Sequence, residues 1–215
     1  MKGEPVLGAV LAGGSSTRYG SPKALAKVGG ERIVDRVIDA LRAATHDIVL
    51  IANDPALASV VDLPSRQDAI ADLGALGGIH TALIWAREQD RRGILAVACD
   101  MPFLSTPLLR RLVERATRQS APDVVAPMSG GRRGIEPLCS YYAVTCIPAI
   151  ETAITAGDHR MIGFHDRLTV EYLTLEEVES FGAPEVLFLN VNSPEDRERA
   201  ERIEEQRVES SKSKV

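Results

Sequence analysis

Between Val10 and Leu25 the chain reads VLAGGSSTRYGSPKAL, an apolar run that breaks into glycines, hydroxyl side chains and cations. Gly13 and Gly14 lack a Cβ, so their backbone N–H groups can approach a polyphosphate closely, as in anion-binding nests. Ser15, Ser16 and Thr17 add hydroxyl donors. Arg18 and Lys23 add positive charge, one as a planar fork and the other as a mobile point charge. This is the chemistry of a phosphate cradle. Neither the GxxxxGK[ST] spacing of the P-loop nor the GxGxxG dinucleotide fingerprint is present. A solvated turn could carry the same residues, so the loop alone leaves both readings open.

Other chemistry-bearing residues fall at the ends of apolar runs. Asp100 follows ILAVAC and precedes Met101 and Pro102, which stop a strand and turn the chain. In an open α/β sheet the carboxyl ends of the strands are where ligands bind. A carboxylate there could hold Mg²⁺ against a triphosphate, since Mg²⁺ favours one or two carboxylates plus phosphate oxygens, or it could cap the following turn. Asn53, after DIVLIA, and Asp68 sit at strand or loop ends with the same two options, Asp72 being the bland surface alternative to Asp68. In NVNS, Asn190 and Asn192 are expected on one side of a strand because side chains alternate with period two. Two inward amides need partners, so a structural amide network competes with a ligand-facing role.

The elements that must position these groups follow from the hydrophobic pattern. PVLGAVLA, DIVLIAN, GILAVACD, DVVAP and VLFLNVN read as strands, separated by segments of helical period. That alternation predicts an α/β fold, Rossmann-like and doubly wound, with a mostly parallel central sheet and helices on both faces. Ile33, Val34, Val37, Ile38 and Leu41 mark one face of a helix over about 31–44. Ser105 is a candidate N-cap for a second helix, and SPED at 193–196 opens a third with a capping hydroxyl, an early proline and first-turn carboxylates.

With 215 residues, 45% of them hydrophobic, one domain over 1–207 is expected, and VESSKSKV at 208–215 reads as a disordered tail. Aromatics at 4% suit helix-on-sheet packing better than an all-β sandwich. The net charge of −5 gives no general pull toward nucleic acid, so an anionic ligand must be met by local groups. Cys99, Cys139 and Cys146 are odd in number and lack CxxC spacing, which fits a reducing cytoplasm and neither a disulfide framework nor a thiolate zinc site. His46, His80, His159 and His165 show no metal-ligand spacing. No apolar run reaches the ~18 residues of a membrane span, and MKGEPVLGAVLAGG is too short in apolar residues for a signal peptide. The Gly/Arg-rich SGGRRG at 129–134 reads as an exposed loop, in which Arg132 and Arg133 could meet a phosphate.

LAGGSSTRYGSPKAL resembles the nucleotide-binding signature LAGG-x-S-x-R-x-G-x-x-K of the MobA-like nucleotidyltransferases, whose best-known members are molybdenum cofactor guanylyltransferases. IAND at 51–54, DAIADLGALGGI at 68–79, VACDMPFL at 97–104 and FLNVNSPED at 188–196 follow in family order, so the resemblance runs from Leu11 to Asp196. It implies transfer of GMP from GTP to the terminal phosphate of a molybdopterin-type cofactor with release of pyrophosphate. It also implies Leu11, Ala12, Gly13, Gly14, Ser15, Lys23, Asn53, Asp68 and Asp100 as nucleotide-binding residues. Arg18, Lys23 and Asp100 would be catalytic, Asp100 would be the Mg²⁺ ligand, and Asn190 and Asn192 would support acceptor or metal. GTP and the molybdopterin cofactor are the implied substrates, and proteins that insert or deliver the cofactor the implied partners, with no role for nucleic acid or membrane.

Departures keep alternatives in view. Guanylyltransferases typically have Met at the position of Tyr19 and often GPLAG where this chain has GALGG. The GSPK spacing is shared with cytidylyltransferases, which in turn tend to LAAG and DQP where this chain has LAGG and CDMP. A sugar or isoprenoid nucleotidyltransferase differs in its acceptor half, and a non-catalytic nucleotide-sensing module would keep the cradle without turnover.

Overall fold

The computed structural model describes residues 5–13, 23–131 and 134–212. Among them a seven-stranded sheet runs in the order β5 (Ser65–Arg66), β4 (Ile48–Ala52), β1 (Val6–Ala12), β6 (Gly93–Ala98), β8 (Cys139–Ala143), β7 (Val124–Pro127) and β9 (Val170–Leu173). The pairings β4–β5, β1–β4, β1–β6 and β7–β9 are parallel; β8 runs antiparallel to both β6 and β7. A separate hairpin pairs β2 (Lys27–Val28) with β3 (Glu31–Arg32). Helices α1 (Ile33–Arg42), α2 (Pro55–Val60), α3 (Ala75–Glu88), α4 (Thr106–Ala116), α5 (Ile147–Thr155), α6 (Leu175–Glu179), α7 (Pro184–Leu187) and α8 (Pro194–Lys212) complete the fold. The expected single-domain, mostly parallel α/β architecture is what the chain adopts.

The near-continuous apolar runs are central strands because both of their faces are covered. Val6 and Val10 of β1, Leu50 of β4 and Val97 of β6 enter one core, which α1 and α4 close with Val37, Leu41, Leu108 and Leu112. The intervening Leu7, Ala9, Val49, Ile94 and Ala96 enter a second core, closed by Ile79 and Leu83 of α3 and Ile150 of α5. Helix α1 buries the same five residues that its period marks. At Gly8 this packing leaves no room for a side chain: a Cβ there would lie 2.5 Å from Thr45 Oγ1 and 3.0 Å from Leu41.

VLFLNVN departs from its expected strand. Pro184 sits at the first position of α7, which proline's fixed φ favours, and the chain then passes through residues 188–193 without joining the sheet. A short continuous apolar run does not by itself distinguish strand from buried helix or coil. Here Leu187, Leu189 and Val191 fill the core from outside the sheet, whose place beside β6 is taken by β8.

Ser105 precedes α4 without a side-chain cap hydrogen bond, whereas Ser193 does cap α8. The Asp196 N–H donates to Ser193 Oγ at 3.1 Å, and the Ser193 N–H donates back to Asp196 Oδ2 at 2.9 Å, a reciprocal capping box. Helix α8 then lies against the hairpin and α1: the Gly29 N–H donates to Glu201 Oε2 and Arg36 Nη2 to Glu204 Oε1, both at 2.8 Å. It continues to Lys212, so 208–212 of the segment read as a tail are helical, with Val208 exposed. Among the described residues no helix is long and apolar enough to cross a membrane.

Candidate active site

Strands β1, β4 and β6 end side by side, and a cleft of about 300 Å³ opens over their carboxyl ends. Each strand delivers a residue just beyond its last apolar position: Gly13 after β1, Asn53 after β4, Cys99 and Asp100 after β6. The Cys99 N–H donates to the Leu11 carbonyl at 3.1 Å, so the ends of β1 and β6 are joined where the chains turn away. Asp100 is half-buried, with Oδ1 closed off from solvent. Its backbone carbonyl accepts from the Val191 N–H at 2.9 Å, which carries Asn190 and Asn192 to the same cleft. Asn190 and Asn192 therefore line the cleft from a loop, where the sequence led to a strand being expected. Asn190 Nδ2 donates to the Phe188 carbonyl at 3.1 Å, and the Asn192 N–H donates to Asp196 Oδ2 at 2.9 Å.

The other end of the cleft is built on a pairing across fifteen positions. Asn53 Nδ2 donates to Asp68 Oδ2 at 2.7 Å, and the Asp68 N–H donates to Asn53 Oδ1 at 2.8 Å. The amide thus fixes both the backbone and the carboxylate of Asp68. Burial pushes the Asp68 carboxyl above its ordinary value, while the Asn53 hydrogen bond pulls the other way. Asp54, the next residue in IAND, has structural work: its Oδ1 accepts from the Ala56 N–H at 2.9 Å and caps α2. Asp72 is exposed in a left-handed turn, φ 62°.

Helix α3 supplies the floor. Gly74 precedes it at φ 56° and ψ −140°, a conformation that a Cβ would strain. Gly78 lies beneath Leu11, Ile51 and Asp68 and is itself part of the lining. Sequence reasoning marked this GALGG block but not its individual residues, and it missed Cys99, Glu136 and Leu138, which also line the cleft. Glu136 lies between β7 and β8, two positions after the SGGRRG segment, and no spacing signalled it.

Leu11, Ala12 and Gly13 stand at the cleft's β1 edge, Gly13 exposed and with no described atom within 4 Å of where a Cβ would be. Gly14, Ser15 and Arg18, together with Arg132 and Arg133, lie outside the described residues. Lys23 opens a one-turn 3-10 helix, Lys23–Leu25. Among the described residues no group of three His, Cys, Asp or Glu side chains is gathered as a metal site. Cys139 and Cys146 are buried, and burial pushes the Cys146 thiol up to about 12.

Residues 8–170 match the model of the MobA-like NTP transferase domain. A protein of Pelotomaculum thermopropionicum named "Probable molybdenum cofactor guanylyltransferase" is 35% identical over 88% of this chain and 88% of its own. A molybdenum cofactor guanylyltransferase of Desulfosudis oleivorans is 30% identical over 92% and 95%. The crystal structure of molybdopterin-guanine dinucleotide biosynthesis protein A from Archaeoglobus fulgidus superposes with a TM-score of 0.76 at 27% identity, covering 94% of this chain and 100% of that one. The family consists of nucleotidyltransferases that generally use a divalent metal. The chain is thus a nucleotidyltransferase with the strand-end cleft as its candidate active site, and it belongs to the MobA-like NTP transferase family.

Proposed function

We propose that this enzyme transfers GMP from GTP to the terminal phosphate of a molybdopterin-type cofactor and releases pyrophosphate. The carrying observation is that the Asn53-braced Asp68 and the strand-end Asp100 line one cleft, one carboxylate suited to a base and the other to a metal-bound phosphate chain. Guanine presents two adjacent donors, N1–H and the 2-amino group, and a carboxylate fixed in place accepts from both. The names of the relatives favour guanine over cytosine, in keeping with Gly13, beside whose Cβ position no described atom lies within 4 Å.

The new bond joins an oxygen of the acceptor phosphate to the α-phosphorus of GTP. The bond from that phosphorus to the oxygen bridging the β-phosphate breaks, and its electron pair leaves with pyrophosphate. The attacking oxygen already carries charge, so no strong base is required, and catalysis comes from positioning and charge neutralisation. Leu11, Ala12, Gly13, Gly14 and Ser15 would orient the nucleotide, and Arg18 and Lys23 would offset charge on the phosphates. Asp100, Asn190 and Asn192 line one cleft and could offer oxygen donors of the kind Mg²⁺ takes, Asp100 as its ligand and the amides supporting it or the acceptor. Mg²⁺ bound there would neutralise charge on the polyphosphate. Proteins that insert or deliver the molybdenum cofactor would be the enzyme's partners, and the cytoplasm its location, in keeping with three cysteines present as free thiols.

Calorimetric titration with GTP, CTP, ATP and UTP tests the proposal. GTP is expected to bind roughly 10²-fold tighter than the others, since a base that leaves Asp68 unpaired forfeits charge-assisted hydrogen bonds. Preferential binding of CTP would overturn it.

A further inference from the structure

We infer that Thr81, in the second turn of α3, is a positioning residue for base selection: it latches the loop that carries Asp68 and so sets how closely the enzyme reads the purine 2-amino group. The inference rests on the reading of Asp68 as the guanine acceptor.

Thr81 stands outside the apolar set, including Leu76, Ile79, Ala82 and Leu83, that α3 packs on the sheet. It is nonetheless only 3% exposed. A buried threonine inside a helix is not explained by propensity, since alanine would serve the helix better and the hydroxyl must find partners. Here the hydroxyl is used twice. It donates to the Gly77 carbonyl one turn back at 2.8 Å, and it accepts from the Ala69 N–H at 2.8 Å. The first bond aims the oxygen; the second fastens the residue next to Asp68.

Residues 68 and 69 are consequently held by three hydrogen bonds from two elements. Asn53, at the end of β4, binds the Asp68 N–H and one carboxylate oxygen; Thr81, on α3, accepts the Ala69 N–H. Asp68 Oδ1 is left over the helix floor, 3.7 Å from where a Gly78 Cβ would be. Without the Thr81 latch, the Asn53 pair would be left to hold residues 68 and 69 beyond β5, and rotation about it would carry the second oxygen off its line to the base. Discrimination depends on that line, because a hydrogen bond weakens steeply as its angle closes.

GTP and ITP differ only in the 2-amino group, so their comparison isolates this contact. The native enzyme is expected to bind GTP roughly tenfold or more tightly than ITP, as for loss of a hydrogen bond to a charged acceptor. Thr81→Val keeps the shape and removes the latch; it is expected to shrink the GTP/ITP ratio by about fivefold or more, mainly by weakening GTP, while Thr81→Ser restores the native ratio. Calorimetry of both nucleotides with each variant reads this, and Thr81→Ala replaces the valine variant if that protein does not fold. A native ratio in the latch-free variant would overturn the inference, as would equal weakening of GTP and ITP, the mark of a merely structural role. A native enzyme that binds GTP but does not distinguish ITP would also overturn it. Failure of the native enzyme to bind GTP at all would instead sink the proposed function.

Discussion

Gly78→Ala separates stability from function. Gly78 lies inside α3, where replacing glycine by alanine is worth about 1 kcal/mol in helix propensity. The new methyl would find Leu11 Cδ2 at 3.5 Å, Asp68 Oδ1 at 3.7 Å and Ile51 Cγ2 at 3.9 Å, all ordinary contact distances. No clash offsets the gain, so for a domain of this size Tm is expected to rise by roughly 2–4 °C. The same methyl stands on the floor of the cleft beside the Asp68 carboxylate, where a base must lie flat to be read. A base lifted by a methyl radius loses contact with both Leu11 and Asp68, and GTP affinity is expected to fall about tenfold or more, equivalent to ~1.4 kcal/mol. Differential scanning calorimetry and GTP titration on one preparation measure both. A stable variant that binds GTP normally would refute the placement of the base on this floor; a Tm several degrees lower would refute the packing. Gly77→Ala is the contrast, because its Cβ would meet Leu73 Cβ at 3.1 Å and the Ile70 carbonyl at 3.2 Å, so the loop must yield.

Asp100→Asn is expected to lower turnover by about 10²-fold or more while leaving Tm near native, because an amide fills the same volume but binds Mg²⁺ poorly; a metal titration of turnover checks it. Gly13→Ala should fold normally, there being no described atom within 4 Å of the added methyl, yet bind GTP less well by narrowing the mouth of the cleft. GTP binding should weaken on acidification at a pH above the ordinary aspartate value, because burial raises the Asp68 pKa and the neutral carboxyl loses one acceptor. Asn53→Ala removes the hydrogen bond that opposes this shift, so the weakening should move to still higher pH, with the nucleotide's own titration cancelling in the comparison. The stability linkage runs the opposite way: Asp68's contribution is complete below its unfolded pKa and is lost as pH rises through the raised folded value.

The central strands were legible because their burial on both faces leaves continuous apolar runs, as in VLGAVLA and IVLIA, and α1 because its five buried residues keep one helical face. β8 was not anticipated: CSYYA carries Ser140 and two tyrosines, and its antiparallel place between β6 and β7 is a property of the sheet, not of the segment. VLFLNVN misled because its apolar residues fill core space beyond the sheet, and Pro184 turned its start into a helix. The strand-end position of Asp100 was readable from local context, an apolar run ended by Met101 and Pro102, whereas its role came from the family resemblance. The Asn53–Asp68 brace and the Thr81 latch were not, since each joins residues twelve or fifteen positions apart through contacts that exist only once β4, the loop and α3 are folded together.

The most direct test is to incubate the enzyme with Mg²⁺, molybdopterin-type cofactor and each of the four nucleoside triphosphates in turn, following pyrophosphate release and the dinucleotide product together. Rapid, acceptor-dependent release with GTP, equimolar with a guanine dinucleotide and roughly 10²-fold slower with CTP, is the predicted result. Equal or faster reaction with CTP, or release from GTP that does not depend on the acceptor, would contradict it.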